Sequence, residues 1–296
     1  MWLITLLLIA DSTQRLRVRV APRESLHVDV VGPAAGAPVV LVPGLFGSVY
    51  GFRQVVPPLA AQGYRTIVIE PLGIGSSSRP SRADYSLTAQ ADRLAAVLDT
   101  LAVGPALLVA HSLGGSMALR LAYRRPDLVR GVVLLEGGPA EAATTPGFRR
   151  ALRFAPWIKL FGGVRRVRAA MRRSLVAASG DTSWVTDSVV AGYTAAAAAD
   201  LDATLLAYLA MAEAREPERL ADRLGDVHTP VRLLLGTAPH AGVPPRAERE
   251  LLRARLARFA EDTVGGAGHY LHEERPMAVV AAMARMPGAT LPVEAP

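Results

Sequence analysis

The chain has 296 residues, 51% of them hydrophobic, and a formal charge of +7 at neutral pH. That is enough for one large α/β domain with an inserted subdomain, and the absence of cysteine excludes disulfides, thiolate nucleophiles and Cys-ligated metals. The basic residues are a single lysine, Lys159, and arginines, with no patterned basic-aromatic surface or recognised motif, which argues against nucleic acid as a partner.

Residues 1–10 are strongly apolar but supply only about half the length of a spanning helix. Arg15, Arg17 and Arg19 follow this run, whereas a secretory signal places its basic residues first. Residues 1–15 are therefore read as an apolar N-terminal extension: a mis-called start, a docked helix or a membrane-surface segment. The expected location is cytoplasmic or membrane-associated, with export left open. Residues 16–20 and 26–30 alternate apolar and polar side chains and predict a hairpin with one solvated face. Residues 39–42 form an unbroken apolar run suited to a strand buried on both faces. The pattern then predicts a helix over 49–62, a strand over 66–69 and an amphipathic helix over 87–101. Strand 105–109, helix 116–125 and strand 129–135 follow, with Pro126 stopping the helix.

From about 140 to 225 the segments are helical, with no convincing strand. Alternation resumes with a strand at 231–235, a helix over 246–259 and a short strand at 261–264. Strands and helices alternating in this way imply a mostly parallel central sheet flanked by helices, with ligand chemistry outside the carboxyl ends of the strands. The expected layout is a core of residues 16–140 and 226–296, with an all-helical cap at 141–225 inserted after the sixth strand.

The turn Ala110-His111-Ser112-Leu113-Gly114-Gly115 joins a buried strand to a helix. A serine there stands clear of the sheet, beside the free N–H groups of a helix start, as a nucleophile requires. The bland alternative is a strand-to-helix turn that uses serine as an N-cap. Ser112 needs a base to take its proton, and His269, flanked by glycines, is the candidate. His272 reads as structural, and His111 as packing beside the turn.

These residues resemble the α/β-hydrolase family, and the likeness covers most of the chain outside the insertion. Residues 42–48 (Val-Pro-Gly-Leu-Phe-Gly-Ser) sit where the family has its oxyanion loop. Residues 70–80 resemble the Gly-rich loop after the fourth strand, 110–115 the nucleophile elbow, and 265–276 the loop with the catalytic histidine. The resemblance implies an α/β-hydrolase fold and an oxyanion hole made by the backbone N–H groups of Leu45 and Leu113, with Phe46 as a substitute for Leu45. Ala110, Pro43 and Glu70 depart from the family's usual glycine, histidine and aspartate.

A larger departure follows the seventh strand. The family commonly places its triad acid there, and residues 236–245 contain no carboxylate. Glu136, at the end of the sixth strand, is the best substitute, since haloalkane dehalogenases draw their acid from this place. A loop-bracing role is its alternative; Asp226 and Asp262 compete poorly because each lies near the start of its strand.

Residues 148–179 hold nine basic side chains and no acidic one. Val164, Val167, Met171 and Leu175 share one helical face, with Arg165, Arg166, Arg168, Arg172 and Arg173 opposite. A cap helix over the site is favoured over a membrane-surface helix, although the N-terminus and this helix both leave peripheral membrane contact open. Phe46, Trp157, Phe161 and Trp184 are the expected substrate-binding residues. The resulting expectation is a serine hydrolase acting on an apolar small-molecule ester, with no cofactor and no metal needed. A thioesterase, lactonase or carbon–carbon hydrolase would use the same serine chemistry, and a non-catalytic binding protein is the alternative from a different class. Oligomeric state is left open.

Overall fold

The computed structural model describes residues 13–144, 149–150 and 163–287. The strands are β1 (Gln14–Ala21), β2 (Glu24–Val31), β3 (Pro38–Val42), β4 (Arg65–Glu70), β5 (Ala106–His111), β6 (Val129–Leu135), β7 (Val231–Gly236) and β8 (Phe259–Val264). They form one sheet in the order β1-β2-β4-β3-β5-β6-β7-β8. β2 runs antiparallel to β1 and β4, and the other neighbours are parallel. β1 begins at Gln14, inside the stretch expected to be an extension.

The sheet buries both faces. Val40, Val42, Leu108 and Leu134 pack on one side with α2 (Leu87–Thr100) and α3 (Leu113–Arg124). Val39, Leu41, Val109 and Leu135 pack on the other, against α1 (Val56–Ala61) and α11 (Pro276–Ala284). This two-sided burial is why the central strands are apolar runs rather than alternating ones. The expected helix over 49–62 is instead a 3-10 turn at Val49–Phe52 followed by α1. Pro57 and Pro58 lack a backbone N–H and fit only a first helical turn, so the helix must start beside them. α9 (Arg246–Arg255) also stops four residues short of its expected end, and β8 starts at Phe259.

Between β6 and β7 lie α4 (Gly163–Ala177), α5 (Asp187–Tyr193), α6 (Ala195–Ala199), α7 (Leu201–Glu213) and α8 (Leu220–Arg223). Both ends of this insertion are pinned to the core. Glu141 accepts the N–H groups of Leu220 and Ala221 at 2.9 Å. Glu216 accepts those of Leu87 and Thr88 at the start of α2. Arg120, fully buried in α3, lies 3.4 Å from Glu141 Oε2 and 3.3 Å from Glu216 Oε2, so one cation ties the two anchors. Among the described residues no helix is long and apolar enough to cross a membrane.

Candidate active site

β5 delivers Ser112 to the carboxyl edge of the sheet, and α3 starts at the next residue. Ser112 has φ 50° and ψ −119°, a left-handed backbone that a non-glycine residue adopts at a cost. The turn is tight enough to dictate its neighbours. A Cβ on Gly114 would lie 2.6 Å from the Val42 carbonyl oxygen, and one on Gly44 would lie 3.1 Å from Ser112 Cβ. Ala110 is fully buried, and the elbow accommodates it in place of glycine. Leu45, Phe46 and Leu113 line one cavity with Ser112 and His269. Leu113 opens α3, where the first N–H groups have no acceptor within the helix.

The loop after β8 holds His269. Its N–H donates to the Ala178 carbonyl at 2.7 Å, and its own carbonyl lies 3.0 Å from His111 Nε2. A carbonyl can only accept, so His111 donates from Nε2 and braces the loop. Burial holds the His269 imidazole well below its ordinary range, and His111 and His240 reinforce the shift. His272 packs on Phe52 at 5.1 Å between ring centres, and burial pushes it down to about 3, helped by His269 and Arg53. The run Leu271-His272-Glu273-Glu274 forms the short helix α10. Glu274 accepts the N–H groups of Gly268, Gly180 and Asp181, and Glu273 accepts Tyr193 Oη at 2.8 Å. Both carboxylates thus fasten the cap to the histidine loop.

Glu136 follows β6 with φ 48° and is 2% exposed. The Gly236 N–H donates to its Oε1 at 2.5 Å. Burial raises its pKa, against the pull of that N–H and of His240. Its Oε2 faces His240 Nε2 at 3.3 Å, without the alignment of a hydrogen bond. His240 stands in the segment that lacks an acid, and its side chain is wholly buried. Sequence reasoning passed over it because it searched that segment for carboxylates alone. His269 Nδ1 is also buried and meets no well-aligned hydrogen-bond partner among the described residues, the Gly242 backbone being the polar group that favours a charged ring. Atoms of Glu136, His240 and His269 all lie within 4.8 Å of one another. Asp226 and Asp262 are held elsewhere by Arg223, and by Arg232 and Arg285.

The cavity over Ser112 has a volume of about 390 Å³. A second cavity of about 410 Å³ lies under α4, α6 and α7, and Phe46, Ser174 and Tyr193 line both. Val167, Ala170, Met171, Ala197, Leu205 and Tyr208 give the second cavity an apolar wall. The apolar stripe of α4 therefore faces inward, with Arg166 and Arg173 at the cavity's border and Arg165 and Arg168 exposed. Phe46 meets Tyr208 edge-on at 5.4 Å. Trp184 is not among the residues lining either cavity; its ring lies 5.3 Å from that of Tyr270 and 6.1 Å from that of Tyr193, two residues that line the cavity over Ser112. Tyr193 and Tyr208 occupy the wall instead. Trp157 and Phe161 lie outside the described residues.

A serine on a left-handed turn at the carboxyl edge of this sheet, with helices inserted after β6, is the architecture of the α/β-hydrolase fold. A family model described as alpha/beta hydrolase fold matches residues 37–180, and the chain has that fold. It is 30% identical over 174 residues to a haloalkane dehalogenase of Mycobacterium marinum, covering 55% of this chain and 59% of that protein. It is 35% identical over 127 residues to the 2-hydroxymuconate semialdehyde hydrolase of Pseudomonas sp., covering 42% and 44% respectively. The matched stretches thus span about half the length of these relatives. Among solved structures, Cfl2 from Burkholderia cenocepacia superposes with a TM-score of 0.74 at 24% identity, over 92% of this chain and 94% of that one.

Proposed function

We propose that the protein is a serine hydrolase that cleaves carboxylic esters of apolar small molecules through an acyl-enzyme. The observation that carries this reading is Ser112, raised on a left-handed elbow into the cavity that His269 also lines. In the proposed cycle Ser112 Oγ attacks the acyl carbon while His269 takes its proton. The backbone N–H groups of Leu45 and Leu113 hold the oxyanion, and His269 returns the proton to the leaving alcohol. Water then repeats the sequence and frees the acid. Glu136 is the group proposed to stabilise the imidazolium, because it is the carboxylate grouped with His269. The apolar second cavity favours an acyl group over a sugar or phosphate ester.

Dehalogenation and epoxide hydrolysis need a carboxylate nucleophile at the elbow, which Ser112 cannot supply, so relatives with those activities do not pass them on. Thioester, lactone and carbon–carbon bond hydrolysis share the serine chemistry and remain within the proposal. His269 Nδ1, without a well-aligned partner, favours a second reading, a ligand-binding member without turnover. A fluorophosphonate probe separates the two. Labelling of the folded protein that disappears in Ser112→Ala is expected; no labelling, or labelling that survives the substitution, defeats the hydrolase reading.

A further inference from the structure

Atoms of Glu136, His240 and His269 lie within 4.8 Å of one another, with Glu136 Oε2 and His240 Nε2 facing each other at 3.3 Å and the His269 ring beside the Gly242 backbone. Three buried polar groups facing one another, poorly aligned for hydrogen bonds among themselves, call for a shared partner. We propose that they form a binding site for a divalent transition metal of the zinc class, and that metal bound there switches Ser112 off. Two imidazoles and one carboxylate are a donor set that zinc and its neighbours accept. The 3.3 Å between His240 Nε2 and Glu136 Oε2 matches two ligands on one tetrahedral zinc, which stand about 3.3 Å apart at ordinary bond lengths. A shift of at most about 1.5 Å by the His269 ring, from the 4.8 Å limit to that spacing, brings the third atom into range.

The surrounding contacts orient these ligands as metal sites require. The Ala238 carbonyl lies 2.7 Å from His240 Nδ1, which fixes a proton on Nδ1 and leaves Nε2 as the nitrogen turned toward Glu136. The Gly236 N–H occupies Glu136 Oε1 and turns Oε2 toward the histidines. Gly242 lets the chain pass the ring: its φ is +95°, and a Cβ there would lie 3.0 Å from His269 Nδ1. After His240, Arg249 is a further positive charge acting on Glu136, and it also pairs with Glu261 at 3.9 Å. The switch follows from the two nitrogens of one ring. A neutral imidazole that gives its Nδ1 lone pair to a metal keeps its proton on Nε2, so His269 cannot accept the proton of Ser112. The site stands on geometry alone; the switch rests on the Ser112–His269 reading.

The test is cobalt titration of chelator-treated full-length protein, followed by fluorophosphonate labelling with zinc or chelator present. One equivalent of Co2+ is expected to give the strong visible bands of a four-coordinate site, which Zn2+ abolishes. His240→Asn and Glu136→Gln, each checked for folding by circular dichroism, weaken binding at least about 100-fold, beyond the usual effect of an outer contact. His228→Asn, an exposed control, leaves binding unchanged. Absent bands, or bands that persist in His240→Asn and Glu136→Gln, overturn the site. Zinc is expected to slow labelling of the wild type at least about tenfold and to have no effect in His240→Asn. Cobalt binding without slowed labelling overturns the switch and leaves the site. Binding with no labelling even in chelator defeats the serine reading instead.

Discussion

His240 Nε2 stands 3.3 Å from Glu136 Oε2, with both side chains fully shielded from solvent. The residue that fills the usual place of the triad acid is thus directed at the carboxylate proposed to replace that acid. If Glu136 stabilises the His269 imidazolium, removing its charge leaves that cation buried and uncompensated. Glu136→Gln, assayed in chelator with chromogenic esters, is expected to lower kcat by at least about 100-fold with KM nearly unchanged. A loss below about tenfold in the folded variant assigns the acid to another group.

Burial of His272 makes stability depend on pH. Its folded pKa of about 3 lies below the roughly 6.5 of an unfolded histidine. Between those values the unfolded chain binds a proton that the native chain refuses, so stability falls as pH drops through this window. One such group contributes a slope of about 1.4 kcal/mol per pH unit. Urea unfolding midpoints at several pH values from 4 to 7 check this. His272→Gln is expected to flatten the slope by one proton; an unchanged slope means the wild-type residue titrates normally in the native state.

The fold was legible wherever hydrophobic period and turn chemistry agree. The apolar runs at 39–42 and 129–135 lie in β3 and β6, and the helical stretch between β6 and β7 is the insertion. Ser112 was legible because its turn requires small residues on both sides, and those leave a sequence mark. His240 was not, since nothing local distinguishes a buried histidine from a loop histidine; only pairing β6 with β7 sets it against Glu136. Trp184 poses the converse problem. Its size marks it as a packing residue without saying which side of the cap it faces. The anchoring roles of Glu141, Glu216, Glu273 and Glu274 likewise depend on partners distant in sequence.

Arg120 is the cation on which the base of the cap depends. It is fully buried, and its charge is matched by Glu141 and Glu216, while Nη1 also reaches the Ser116 and Ala140 carbonyls at 3.3 Å. Removing one partner from a buried ionic cluster leaves the others uncompensated. Arg120→Met is expected to destabilise the protein by about 3–5 kcal/mol, measured by urea unfolding. A cost below about 1 kcal/mol implies that solvent or neighbouring cations replace the guanidinium.

The second cavity sets the acyl chain length, if the ester reading holds. Ala197 is 8% exposed and lines that cavity, away from Ser112, His269 and the oxyanion donors. A phenylalanine there takes up space that the end of an acyl chain would otherwise fill. Each buried methylene contributes about 0.8 kcal/mol, so excluding two of them lowers kcat/KM about tenfold. Ala197→Phe is therefore expected to lose at least about tenfold in kcat/KM on octanoyl esters while changing less than about twofold on acetyl esters. Comparing a graded ester series on wild type and variant makes the measurement internally controlled, because a folding defect depresses every substrate equally. An octanoyl-ester kcat/KM that stays at the wild-type value, in a variant that also keeps its acetyl-ester activity, removes the second cavity from the acyl path and leaves the chain to exit by the mouth over Ser112.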